Sequence, residues 1–164
     1  MNRVWVFGLA LSISISCAAQ TTNATEMQEI TIRLVDCRNG TRYADKLVTI
    51  QFFHPVNAPQ PEWKAKTGMD GTVEFQLPKP PTLFSVLPGT GNDLYPCSDM
   101  IFKATDLDRI ISEGVVSRCS KKTQGCRCRF GKALAEIESR PGELVILARP
   151  ITRGEKIRWS IWQD

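Results

Sequence analysis

Histidine is almost absent from this chain. His54 is the only one among 164 residues, so any site that needs two imidazoles is excluded. The sequence also has no H-E-x-x-H, no G-x-S-x-G and no phosphate-cradling glycine loop, which removes the usual signatures of zinc hydrolysis, serine hydrolysis and phosphoryl transfer. Cys-x-x-Cys does not occur, so a thioredoxin-like redox pair has no support. After residue 20 no apolar run approaches the roughly 20 residues that a membrane-spanning helix needs. There are no internal repeats. At 18.4 kDa the chain is too short for an α/β barrel or a protein kinase, and it suits one ordinary domain. Hydrophobic residues make up 42% and charged residues 23%, a globular composition.

The N-terminus has the three-part layout of a secretory signal. Arg3 supplies the positive region, Val4 to Ile15 is apolar to small and uncharged, and Ser16 to Ala19 are small. The expected cut follows Ala19, so that residues 1–19 are a signal peptide and 20–28 a polar tether. The expected destination is the periplasm or the extracellular space. Cys17 opens an alternative. Preceded by Ser16, it resembles a bacterial lipoprotein box, although Ser14 stands where that box usually has leucine. Lipidation at Cys17 would make the protein an outer-membrane lipoprotein of the cell envelope.

Export turns the remaining cysteines into disulfide candidates: Cys37, Cys97, Cys119, Cys126 and Cys128. Five is odd, so at least one is left over or pairs between chains. A bridge between Cys126 and Cys128 would be badly strained. The preferred pairing joins Cys97 to Cys119, Cys126 or Cys128, and Cys37, at a strand end, reaches the same cluster. The rival reading is a thiolate zinc or copper site built from Cys119, Cys126, Cys128 and one more sulfur. It lacks the usual paired spacing, so no metal or other cofactor is expected.

The formal net charge of +4 says little, but its distribution says more. Arg118, Lys121, Lys122, Arg127, Arg129 and Lys132 occur together with no acid among them. The plain reading is a solvated loop. The functional reading is contact with an anionic surface, such as lipid headgroups or an acidic polymer. Nucleic acid is not an expected partner, because no recognition motif accompanies the charges.

Strand patterning dominates the rest. Ile30, Ile32 and Leu34 alternate with polar residues, as do Val48, Ile50 and Phe52, Trp63 and Ala65, and Val73, Phe75 and Leu77. Asp70-Gly71 predicts a hairpin. Leu83 to Leu87 and Leu144 to Leu147 read as buried strands, the second closed by Pro150. Leu107, Ile110 and Ile111 fall on one helical face, with Thr105 as the expected N-cap and Gly114 as the stop. Asp106 and Asp108 sit where a helix dipole favours acids, so capping accounts for them without acid–base chemistry. The pattern predicts an antiparallel β-sandwich with one short α-helix. The domain spans 29–150 with a helix and a cysteine-rich basic insertion near 97–132, and 151–164 forms a tail.

Two stretches carry a resemblance. Leu34-Val35-Asp36, Asn39-Gly40, Val48-Thr49-Ile50 and Thr67-Gly68-Met69-Asp70-Gly71-Thr72-Val73-Glu74-Phe75 resemble the opening half of carboxypeptidase regulatory-like domains. Pro141-Gly142-Glu143-Leu144-Val145-Ile146 through Thr152 is similar to the C-terminal ends of uncharacterised exported bacterial proteins with that fold. The resemblance implies a transthyretin-like, Greek-key sandwich and an exported, non-catalytic role. Some modules of this fold carry lysine–asparagine crosslinks, but Arg33 stands where the first-strand lysine would be.

Three functions follow. The leading one is an exported interaction or accessory module without an active site, its partner an unknown protein or glycan of the envelope. Trp63 and Tyr95 join the basic loop as candidate contacts, with ordinary packing as the plain alternative. The second is an enzyme using His54 with a nearby cysteine, for which no nucleophile motif exists. The third is a membrane-proximal protein whose tail places Trp159 and Trp162 among Arg153, Lys156 and Arg158. Nothing in the sequence sets the oligomeric state.

Overall fold

The computed structural model describes residues 27–53, 62–78, 83–89, 93–118 and 135–155. Among these the chain forms strands β1 (Met27–Asp36), β2 (Leu47–Phe53), β3 (Glu62–Lys66), β4 (Thr72–Pro78), β5 (Leu83–Pro88), β6 (Leu94–Pro96) and β7 (Ile101–Lys103). Helix α1 (Ala104–Ser112), β8 (Val115–Ser117) and β9 (Glu143–Pro150) complete it. Among the described residues the protein is mainly β, with two sheets and a short helix. The first sheet runs β4-β1-β9-β6, with β8 also paired to β9, and the second runs β3-β2-β5-β7.

Strict alternation explains how the sheets meet. Ile30, Ile32 and Leu34 from β1, Val73, Phe75 and Leu77 from β4, and Leu144 and Ile146 from β9 share one buried cluster with Val48, Ile50 and Phe52 of β2 and Phe84 and Val86 of β5. Burying one face of each sheet against the other is the main source of stability. A row of aromatic rings runs through this layer. Phe84 lies 5.3 Å from Phe102 and 6.1 Å from Phe52, and Trp63 meets Phe52 edge-on at 4.7 Å. Trp63 is half-buried and packs against the core. Leu107 and Ile110 of α1 close one end of it.

The first sheet is mixed, which corrects the antiparallel expectation. β9 runs parallel to β1 on one side and to β8 on the other. Alternation and turn residues mark where strands are but not which way they run. The unbroken burial from Leu144 to Arg149 accords with this arrangement, since central parallel strands are covered on both faces. Asp70-Gly71 is a second correction. The turn forms, with Gly71 at φ +74° and the Asp70 carboxylate accepting from the Thr72 amide and hydroxyl. Yet β3 pairs with β2, and β4 pairs with β1, so the turn carries the chain from one sheet to the other instead of closing a hairpin. The helix begins two residues earlier than expected. Lys103, not Thr105, holds the N-cap position, and its amide donates to Asp106 Oδ2 at 2.8 Å.

β1 begins at Met27, within the expected tether. The expected insertion starts with working parts of the sheets, because β7 extends the second sheet and β8 joins the first. Those three-residue strands are too short to show a period.

Candidate functional site

Two features of the first sheet's outer face gather chemically distinctive side chains. The first is a small hydrophobic cluster of Val35, Cys37, Cys97, Val145 and Leu147, with Tyr95, Val116 and Ile137 packed against it. Both cysteines are fully buried. The Cys37 amide donates to Ala148 O at 2.8 Å, and the Cys97 amide donates to Leu147 O at 2.7 Å. Successive carbonyls of a strand point to opposite sides, so the two cysteines flank β9. Two strand spacings put them roughly 9–10 Å apart, beyond the roughly 7 Å Cα limit for a direct bridge. Val116 and Ile137 lie on either side of the segment that carries the other three cysteines.

Beside this cluster Arg149 is buried against Tyr95, its guanidinium carbon 4.5 Å from the ring centroid. Glu155 completes the guanidinium's surroundings at 2.5 and 2.8 Å. Thr152 and Glu155 form a reciprocal cap, in which the Thr152 amide donates to Glu155 Oε2 at 2.9 Å. The Arg149 fork, with Thr152, pulls the Glu155 carboxyl down to about 2. Tyr95 therefore serves as a platform for an internal arginine.

The second feature is a polar groove of about 310 Å³ lined by Thr31, Arg33, Arg42, Asp70, Arg140 and Glu143, among others. Thr31 and Arg33 face outward from β1, and Glu143 opposite Thr31 faces outward from β9. Its floor is an ion pair whose Arg33 and Glu143 side chains are only 16% and 12% exposed. Arg33 Nε lies 2.9 Å from Oε1 and Nη2 lies 3.0 Å from Oε2. Arg33 Nη2 also donates to Glu138 O, and Glu143 Oε2 accepts from the Arg140 amide at 3.0 Å. Arg42 and Arg140 rise from the rim, both exposed. Among the described residues neither guanidinium has a carboxylate within ion-pair distance.

Near the start of the Arg42 loop, Asp36 accepts from the Arg38 amide and side chain and from the Tyr43 hydroxyl. Burial pushes the Asp36 carboxyl up, but these donors outweigh it and hold it below its ordinary value. A larger groove of about 510 Å³ lies along the second sheet, between Leu47, Leu87, Leu94, Pro96 and Met100. Its lining is mostly apolar, with the Lys64–Glu62 pair at the edge.

Of the expected site residues, Cys37 and Cys97 come together in one cluster, and Arg118 sits exposed just after β8. Cys17, His54, Cys119, Lys121, Lys122, Cys126, Arg127, Cys128, Arg129, Lys132, Trp159 and Trp162 lie outside the described residues. Among the described residues no three of His, Cys, Asp or Glu are placed to hold a metal, and no helix is long and apolar enough to cross a membrane. The groove arginines escaped sequence reasoning, because they come from three separate segments. Thr152-x-x-Glu155 was readable as a capping box and marks the turn that ties down Arg149. The chain matches no known family model, no curated protein and no solved structure.

Proposed function

We propose that the chain is an exported, non-catalytic interaction module, released from a signal peptide after Ala19 and stapled by disulfides. In this reading the sandwich is transthyretin-like with Greek-key connections, and the partner is a protein or glycan of the cell envelope. The observation that carries the reading is the pair of buried cysteines at the root of the segment holding Cys119, Cys126 and Cys128. Each of Cys37 and Cys97 would then bridge to one of those three, because the span of β9 separates them from each other. A chain with five cysteines after its expected signal fits an oxidising compartment better than a reducing one.

The test is the intact mass of the protein exported by its host, before and after reduction, followed by a disulfide map. The expected result is a chain beginning at Gln20 that gains four hydrogens on reduction. Bridges should link Cys37 and Cys97 to the downstream cysteines, with one thiol left. A chain beginning at lipidated Cys17 would replace the released form with a membrane lipoprotein. Five reduced thiols would overturn the staple and favour the thiolate metal site.

A further inference from the structure

The polar groove on the first sheet has an imbalance in how its charges are satisfied. Its two carboxylates are already engaged. Glu143 is held by Arg33 and by the Arg140 amide, and Asp70 by the Thr72 amide and hydroxyl. Among the described residues its two rim guanidiniums make no ion pair, although Arg42 lies near enough to Asp70 for its charge to help hold that carboxyl below its ordinary value. Three arginines against two carboxylates leave the groove with one positive charge.

The rim is also rigid where it matters. Arg140 opens a turn through Pro141 and Gly142, with the Glu143 amide donating back to Arg140 O at 2.9 Å. The Gly142 amide donates to Ile110 O and Ile111 O at 2.8 and 3.1 Å, which anchors the turn on the end of α1. Arg42 is bridged to Val35, and the Gly71 backbone lies against its Cβ. Both guanidiniums therefore spring from fixed backbone, and little ordering of the chain is needed when they take a ligand. A guanidinium presents a planar fork that matches a planar carboxylate. The groove volume, near 310 Å³, lies at the small end of the range for ligand sites.

We propose that this groove binds the carboxylate of a small polar molecule between Arg42 and Arg140, with the Arg33–Glu143 pair as its floor. The assignment rests on the interaction-module reading for its biological sense, but its test is independent of export and of the cysteines. The purified full-length chain, labelled with ¹⁵N, is titrated with sodium glucuronate and followed by amide shifts. Glucose, sodium chloride at matched ionic strength and sodium phosphate are run alongside.

The expected result is saturable movement at Thr31, Arg42, Thr72 and Arg140 with glucuronate and none with glucose or chloride. R42Q and R140Q should each weaken binding at least about tenfold, since each removes a charge-assisted pair. R42K and R140K keep the charge but lose the fork, and they should weaken it as well. Unmoved amides from β2 and β5 report that each variant keeps its fold. No saturable shift, equal shifts with glucose, or unaltered binding by the R42Q/R140Q double variant would overturn the site. Tighter binding of phosphate than of glucuronate would overturn the carboxylate assignment.

Discussion

Two glycines with the same backbone conformation offer a controlled experiment on the turn that presents Arg140. Gly114 and Gly142 both have φ +79°, but their surroundings differ. A Cβ on Gly142 meets nothing within 4 Å, whereas a Cβ on Gly114 would stand 2.2 Å from Arg140 O and 2.7 Å from Arg140 C. For G142A only the left-handed conformation matters. It costs roughly 1–2 kcal/mol, partly offset by about 0.4–1 kcal/mol from the stiffer unfolded chain, for a net loss of about 1 kcal/mol. G114A carries the same conformational cost and also forces the Arg140 carbonyl to retreat by about 1 Å to reach an ordinary contact. That retreat stretches the bond from the Glu143 amide to Arg140 O and those from the Gly142 amide to α1. Losing one or two such bonds adds roughly 1–3 kcal/mol, so G114A should lose about 2 kcal/mol more than G142A. Urea unfolding of the wild type and both variants measures the difference. A gap below about 0.5 kcal/mol would refute the claim that Gly114 is required by close approach of the turn.

Other perturbations are predicted in the same way. Glu155 titrates near 2 in the folded chain against 4.5 ordinarily, so its contribution is complete above pH about 4.5 and fades as the pH falls through about 2. E155Q should lose about 1–2 kcal/mol at pH 7, allowing for solvent screening, and much less near pH 2, as measured by thermal melts across that range. Y43F removes the hydroxyl that donates to Asp36 at 2.7 Å and should destabilise by about 1 kcal/mol in urea unfolding. F84A empties a fully buried site between Phe52 and Phe102 and should lose about 3–5 kcal/mol by the same assay.

The longer elements were legible because their patterns are periodic. Ile30 to Leu34, Val48 to Phe52 and Val73 to Leu77 alternate cleanly, and Leu107 with Ile110 marks the helix face. Pairing was less legible. Asp70-Gly71 specifies a tight turn, and the two ends of that turn go to different sheets because β1 and β2 lie on opposite sides of the core. The direction of β9 depends on its partners in the sheet, β1 more than a hundred residues upstream and β8 nearer, which no local signal encodes. Of the candidate site, the cysteines were visible as a residue type, and their common cluster follows from the chain placing one on each flank of β9. The groove was invisible, because Arg33, Arg42 and Arg140 look like ordinary surface arginines until the sheet brings them together.

The position of β9 has a consequence for how the molecule comes into being. Its partner β1 is the first of the described strands in chain order, and β9 is the last. Thr31 and Glu143 are paired although roughly 110 residues separate them, so closing that loop is an entropic cost met late. Until β9 arrives, β1 has only β4 beside it in that sheet, and β8 and β6 have no sheet to join. A chain stopped before residue 143 should stay open and protease-sensitive, and the domain should condense only when its C-terminal strand slots between elements already waiting.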